Sequence, residues 1–83
     1  MFLHLGDDFS VRIDEVISVH DFQCLSDLEI GREFLTREKD NIEDVSGGKP
    51  KSVVVTNHKI YLSKLSPGTL KKRAGDIGFG MSL

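Results

Sequence analysis

The sequence predicts an α+β domain: a mostly antiparallel sheet of five to six short strands, one central helix and a short C-terminal helix. Three observations support this prediction. Short β-prone runs fill the first 21 residues, apolar spacing becomes helical after Ser26, and two further β-prone runs lead into a basic helix within residues 51–74. Residues 1–83 are therefore predicted to form a single small domain.

The N-terminal 21 residues carry three short apolar runs. Residues 2–5 are β-prone and are followed by a turn-forming Gly-Asp-Asp, and residues 9–13 alternate apolar with polar side chains. Residues 16–19 are rich in β-branched side chains and end at His20 and Asp21. This segment is predicted to form two or three strands in a meander.

The middle of the chain has helical spacing. Ser26 followed three residues later by Glu29 matches a capping box, and apolar residues then recur at helical intervals. A helix is therefore predicted over residues 27–39. Gly31 lies inside it, where glycine costs roughly 1 kcal/mol relative to alanine. Residues 42–45 are predicted to add a short strand before a glycine-rich loop.

The stretch 51–74 predicts a hairpin followed by a helix. Residues 53–55 are three valines typical of a buried strand, and residues 60–65 form a second β-prone run. Asn57 and His58 are predicted to make a tight turn, because Asn tolerates the left-handed conformation. Ser66 and Pro67 are typical of a helix N-cap and first helical residue, and the helix that follows carries three basic residues: Lys71, Lys72 and Arg73.

The C-terminal residues 75–83 contain three glycines and show no helical periodicity. We expect this tail either to fray or to add to the sheet edge of a neighbouring subunit.

Charge is distributed unevenly along the 83 residues. Residues 1–48 hold four basic and twelve acidic residues, whereas residues 49–83 hold seven basic residues and one acidic residue, so the net charge of −2 conceals halves of −8 and +6. This asymmetry favours either a basic face for a polyanion or acidic-to-basic contacts between subunits. Self-association is expected, because 83 residues with 39% hydrophobic content make a barely adequate monomer core.

Several classes of protein are disfavoured. The single cysteine, Cys24, excludes an intramolecular disulfide and a Cys-rich zinc module, and His20 with Cys24 makes an incomplete metal site. Cys24 is predicted to be a small, at least half-buried side chain. No signal peptide or membrane span is apparent, so a cytoplasmic location is expected. No catalytic constellation, cofactor motif or small-molecule site is found, so an enzyme is not predicted.

Binding is the remaining class of function. Lys49, Lys51 and the Lys71-Lys72-Arg73 cluster are the candidate contacts to DNA phosphates. For that cluster, the alternative is a solvated face whose charge is favourable near a helix C-terminus. A symmetric assembly that repeats weak basic patches would hold a duplex that one subunit could not.

Five blocks of sequence carry a resemblance to a known family. In order and spacing, the blocks MFLHLGDDF, VISVHD, PKSVVVT, IYLS and LSPGTLKKRA resemble the RemA/RemB family of bacterial regulators tied to transcription of biofilm-matrix genes, and most closely its RemB-like branch. The resemblance covers nearly the whole chain and is weakest over residues 23–46 and in the tail. It implies a LytTR-like subunit in a ring-shaped homo-oligomer that binds DNA through repeated basic residues.

The resemblance also points to particular positions. The family's basic loop before the apolar strand falls on Gly48, Lys49 and Lys51, of which two are basic here. The RemA branch has an arginine just before its early apolar strand, where this chain has Glu15 preceded by Asp14. An acidic pair there would repel phosphate.

Two hypotheses follow. The first is an oligomeric, DNA-associated transcriptional regulator with Lys49 and Lys51 as its main phosphate contacts. The alternative is an interaction protein whose acidic-to-basic subunit contacts build a ring that binds a protein partner instead of DNA.

Overall fold

A computed structural model describes residues 1–6, 8–74 and 80–81 and confirms the predicted α+β class. The described strands are β1 (Phe2–His4), β2 (Ser10–Arg12), β3 (Val16–Asp21), β4 (Ile42–Asp44), β5 (Ser52–Thr56), β6 (Ile60–Ser63) and β7 (Gly80–Met81). The helices are α1 (Phe22–Asp27), α2 (Glu29–Arg37) and α3 (Pro67–Ala74), with 3₁₀ turns at Ile13–Glu15 and Lys39–Asn41. None of the helices in this part of the chain is long and apolar enough to cross a membrane.

The strands form two sheets. β1 and β2 make a small antiparallel pair, and the main sheet has the strand order β4-β6-β5-β3-β7. Its centre is antiparallel, as predicted, because β5 pairs in that sense with both β3 and β6. The outer pairs, β4 with β6 and β3 with β7, are parallel.

A β-bulge sets which side chains of β3 enter the core. The register against β5 shifts between Val16 and Ser18, so Val16 and Val19 are both buried while Ile17 is 56% exposed. The core lies between this face of the main sheet, the β1–β2 pair and α3. Its fully buried members are Leu3, Leu5, Val19, Val54 and Leu70.

The β5–β6 hairpin confirms the predicted turn, but the predicted reason is wrong. No described residue other than glycine has a positive φ, so Asn57 does not use the left-handed region. The loop is held instead by the Thr56 hydroxyl, which accepts hydrogen bonds from the backbone N–H groups of His58 and Lys59 and donates one to the Lys59 carbonyl. The hydrogen bonds of the Thr56 hydroxyl, rather than a left-handed conformation at Asn57, therefore stabilise the turn.

The helix predicted over residues 27–39 is replaced by two helices. The chain is extended at Leu28, with φ −97° and ψ 137°, which separates α1 from α2. Asp21 caps α1 by accepting a hydrogen bond from the Cys24 N–H at 2.9 Å, so the predicted capping box at Ser26 is wrong. Gly31 of α2 packs directly on the backbone of α1, which explains a glycine at this helical position.

The predicted cap of α3 is confirmed. The Ser66 hydroxyl accepts a hydrogen bond from the Thr69 N–H at 3.2 Å, and Pro67 is the first helical residue. Leu70 and Ala74 are buried and anchor the helix to the core.

The predicted tail is described only at β7, whose backbone pairs with Ser18 and Val19 of β3 in the same chain. Residues 75–79 and 82–83 lie outside the described part, as does Asp7 of the predicted N-terminal turn.

Candidate nucleic-acid interface

The loop before β5 holds Lys49 and Lys51 at one end of the main sheet. Gly47 and Gly48 precede them with φ values of 73° and 90°, a conformation that favours glycine. The Lys51 N–H donates to the Ser63 carbonyl at 2.8 Å, and the Lys51 carbonyl accepts from the N–H of Phe22 at 3.0 Å. The backbone at Lys51 is thus fixed on both sides while both lysine side chains remain exposed.

Lys49 and Lys51 differ from other basic residues in having no ion-pair partner among the described residues. Elsewhere, Arg12 pairs with Asp14 at 3.0 Å and Lys59 with Glu43 at 3.3 Å. Within residues 1–6, 8–74 and 80–81, neither Lys49 nor Lys51 makes an ion pair. Both are therefore available to an external anion.

Lys64 lies between this loop and α3, and the sequence analysis did not include it among the candidate contacts. It lines a cleft of about 330 Å³ that Gly47 and Asp8 also line, and a second cleft of about 250 Å³ that includes Arg73. The hairpin pairs Ser52 with Ser63, so Lys64 follows at the same end of the sheet as Lys51. Counting the register outward from the predicted turn would have placed residue 51 opposite residue 64.

The three residues of the predicted basic cluster on α3 have different surroundings in the structure. Lys71, Lys72 and Arg73 are all exposed in its last turn, but only Arg73 borders the second cleft. Lys71 and Lys72 line neither of these two clefts. Their position fits a solvated helix end with charge favourable to the helix dipole.

The acidic pair lies at the opposite end of the sheet from Lys49 and Lys51. The Glu15 carbonyl accepts from the Asn57 N–H at 3.1 Å, and Glu15 Oε2 lies 3.1 Å from Nε2 of His58. At about 3.3 Å per residue, β5 separates this end from Lys51 by roughly 17 Å. Because this exceeds the Debye length of about 8 Å at physiological salt, these carboxylates do little to repel an anion at the Lys49–Lys51 loop of the same chain.

Asp14 is also engaged, by two hydrogen bonds from the Arg12 guanidinium at 3.0 and 3.2 Å. These hydrogen bonds lower the pKa of Asp14 and favour its carboxylate form, which is paired with Arg12.

The structure places His20 and Cys24 in different elements. His20 lies in β3, where burial lowers its pKa and its Nε2 is 2.9 Å from the Ser18 hydroxyl. Cys24 is exposed on α1, so the prediction of an at least half-buried side chain is wrong. Across the described residues, no group of three or more potential metal ligands is found.

Comparisons with known proteins identify the family. The model of the RemA-like family, described as extracellular matrix regulatory protein A-like, matches residues 2–74. Extracellular matrix regulatory protein B of Bacillus subtilis (strain 168) is 45% identical over 74 residues, which cover 89% of this chain and 90% of that protein. The chain therefore belongs to the RemA-like family, in its RemB-like branch.

Proposed function

We propose that this protein is a cytoplasmic, ring-forming transcriptional regulator of matrix (biofilm) genes that associates with double-stranded DNA. Family membership and the matrix-regulatory name of the Bacillus subtilis relative support the regulatory role. The observation that carries DNA association is the loop of exposed lysines, Lys49 and Lys51. Its backbone is fixed at Lys51, and no described carboxylate neutralises either charge.

The physical basis of binding is counterion release. Each lysine that neutralises a DNA phosphate releases condensed cations and contributes about −0.9 to the slope of log K against log salt. Two such lysines on one subunit bind weakly, but an oligomer presents the pair once per subunit and engages several phosphates together. Contacts of this kind position a duplex without reading its sequence.

The proposal is tested by fluorescence anisotropy with a labelled generic duplex over a series of salt concentrations. The mass of the protein is first measured by light scattering. We expect an oligomer that binds at low salt and loses affinity steeply as salt rises. An oligomer of verified size that does not bind DNA would overturn the DNA role, and a mass of one subunit would overturn the ring.

A second candidate function has its own observation. Leu28 and Ile30 at the start of α2 are 55% and 74% exposed, next to the acidic side chains of Asp27 and Glu29. An apolar surface with an acidic border suits docking against a basic surface of another subunit or a protein partner. A ring built in this way without affinity for DNA would be an interaction protein, and the same anisotropy experiment separates the two functions.

A further inference from the structure

A polar cleft opens between β1 and α3, apart from the Lys49–Lys51 loop. It has a volume of about 250 Å³, and its lining residues are His4, Gly6, Lys64, Leu65 and Arg73. The side chains of His4, Lys64 and Arg73 line it from three separate parts of the chain, and none of its described lining residues carries a carboxylate. The cleft is therefore suited to an anion.

The walls of the cleft are fixed by buried hydrogen bonds. The hydroxyl of Ser63, itself fully buried, donates to the Leu5 carbonyl and accepts from the Leu65 N–H at 3.1 Å. The hydroxyl of Ser52, also fully buried, donates to the Leu65 carbonyl at 2.8 Å. These bonds hold the segment around Lys64 against the end of β1, so little reorganisation accompanies ligand entry.

The cationic side of the cleft is equally anchored. Leu70 and Ala74 on α3 are 0% and 4% exposed, which positions Arg73 at the rim. Arg73 and His4 are exposed, and neither bonds to another side chain of the described residues. The guanidinium of an arginine presents paired N–H donors that match two phosphate oxygens, and a histidine ring supplies a further nitrogen donor.

We infer that the His4–Arg73 cleft is a phosphate-binding site. Its ligand is a phosphate group, carried either by the DNA backbone or by a small phosphorylated molecule. With DNA as the source of phosphate the site deepens the proposed function, and with a small phosphorylated molecule it goes beyond that function. In neither case does it require the Lys49–Lys51 loop to contact DNA.

The site is tested with inorganic phosphate as the probe. The ³¹P resonance of phosphate is followed during titration with the full-length protein, with ionic strength held constant by chloride. We expect the wild-type protein to broaden the line, and Arg73→Gln to weaken phosphate binding by roughly tenfold or more. Arg37→Gln is the matched control, because Arg37 is an exposed arginine on α2 remote in sequence from the cleft. His4→Gln is a second variant and should also weaken binding.

A second part of the experiment adds duplex DNA to distinguish the two sources of phosphate. If added duplex DNA narrows the phosphate line and Arg73→Gln lowers DNA affinity, the ligand is the DNA backbone. If duplex DNA leaves the line unchanged, the ligand is a small phosphorylated molecule. Equal broadening by the wild type, Arg73→Gln and Arg37→Gln would overturn the site, whatever the outcome of the DNA-binding experiment.

Discussion

Replacing Lys49 and Lys51 together by glutamine is expected to lower affinity for duplex DNA by roughly tenfold or more at low salt. The salt slope should also flatten by about two for each subunit that contacts the duplex, because two phosphates per subunit lose their neutralising partners. Both side chains are exposed, so the fold should be unaffected. Fluorescence anisotropy over a salt series measures both quantities.

The matched control removes the same charge elsewhere. Arg37 on α2 and Lys59 in the β5–β6 hairpin are exposed and each lies near a glutamate, at 3.9 and 3.3 Å. A double variant Arg37→Gln, Lys59→Gln changes the net charge equally but leaves the Lys49–Lys51 loop intact. It should keep the wild-type slope, and an equal loss in both double variants would mean that overall charge, rather than this loop, governs binding.

Replacing Gly31 by alanine is expected to destabilise the protein by about 2 kcal/mol. A Cβ at this position would lie 1.9 Å from the backbone oxygen of Leu25 and 2.8 Å from its carbonyl carbon. Because these atoms are backbone, α1 and α2 must separate to relieve the overlap. The gain in helix propensity of roughly 1 kcal/mol offsets only part of this cost. Urea unfolding at a fixed protein concentration gives the change in the free energy of unfolding.

Gly68→Ala is the control for this substitution. Gly68 lies in the first turn of α3, and a Cβ there would meet no other atom within 4 Å. Alanine at this site should leave stability unchanged or raise it by about 0.5 kcal/mol. If Gly31→Ala proved as stable as the wild type, the close packing of α1 on α2 would be contradicted.

Elements whose determinants are local in sequence could be predicted. The cap at Ser66, the valine strand and the position of the hairpin turn depend on residues within a few positions of each other, and the structure confirms all three. The break at Leu28 could not be predicted in this way. The local pattern favoured one continuous helix, whereas the structure packs Gly31 of α2 closely on the backbone of Leu25 in α1.

The candidate site shows the same division. The sequence alone offers Lys49 and Lys51 as candidate contacts. The position of Glu15 relative to them depends on the pairing of β3 with β5, which local patterns do not fix. Of the three basic residues on α3, Arg73 borders the second cleft and Lys71 and Lys72 do not. This difference likewise depends on where the end of β1 packs against α3. Lys64 could have been predicted from the sequence, because the predicted hairpin register alone places it opposite Lys51.

If the protein associates with DNA as proposed, the loop of Lys49 and Lys51 lies against the duplex. Lysine acetylation of the wild-type protein, read by mass spectrometry with and without duplex DNA, tests it most directly because no substitution is needed. Lys49 and Lys51 should be protected by DNA, while Lys39 after α2 and Lys59 in the hairpin should react at the rate of the free protein. Protection of Lys59 with full reactivity at Lys49 and Lys51 would contradict the claim.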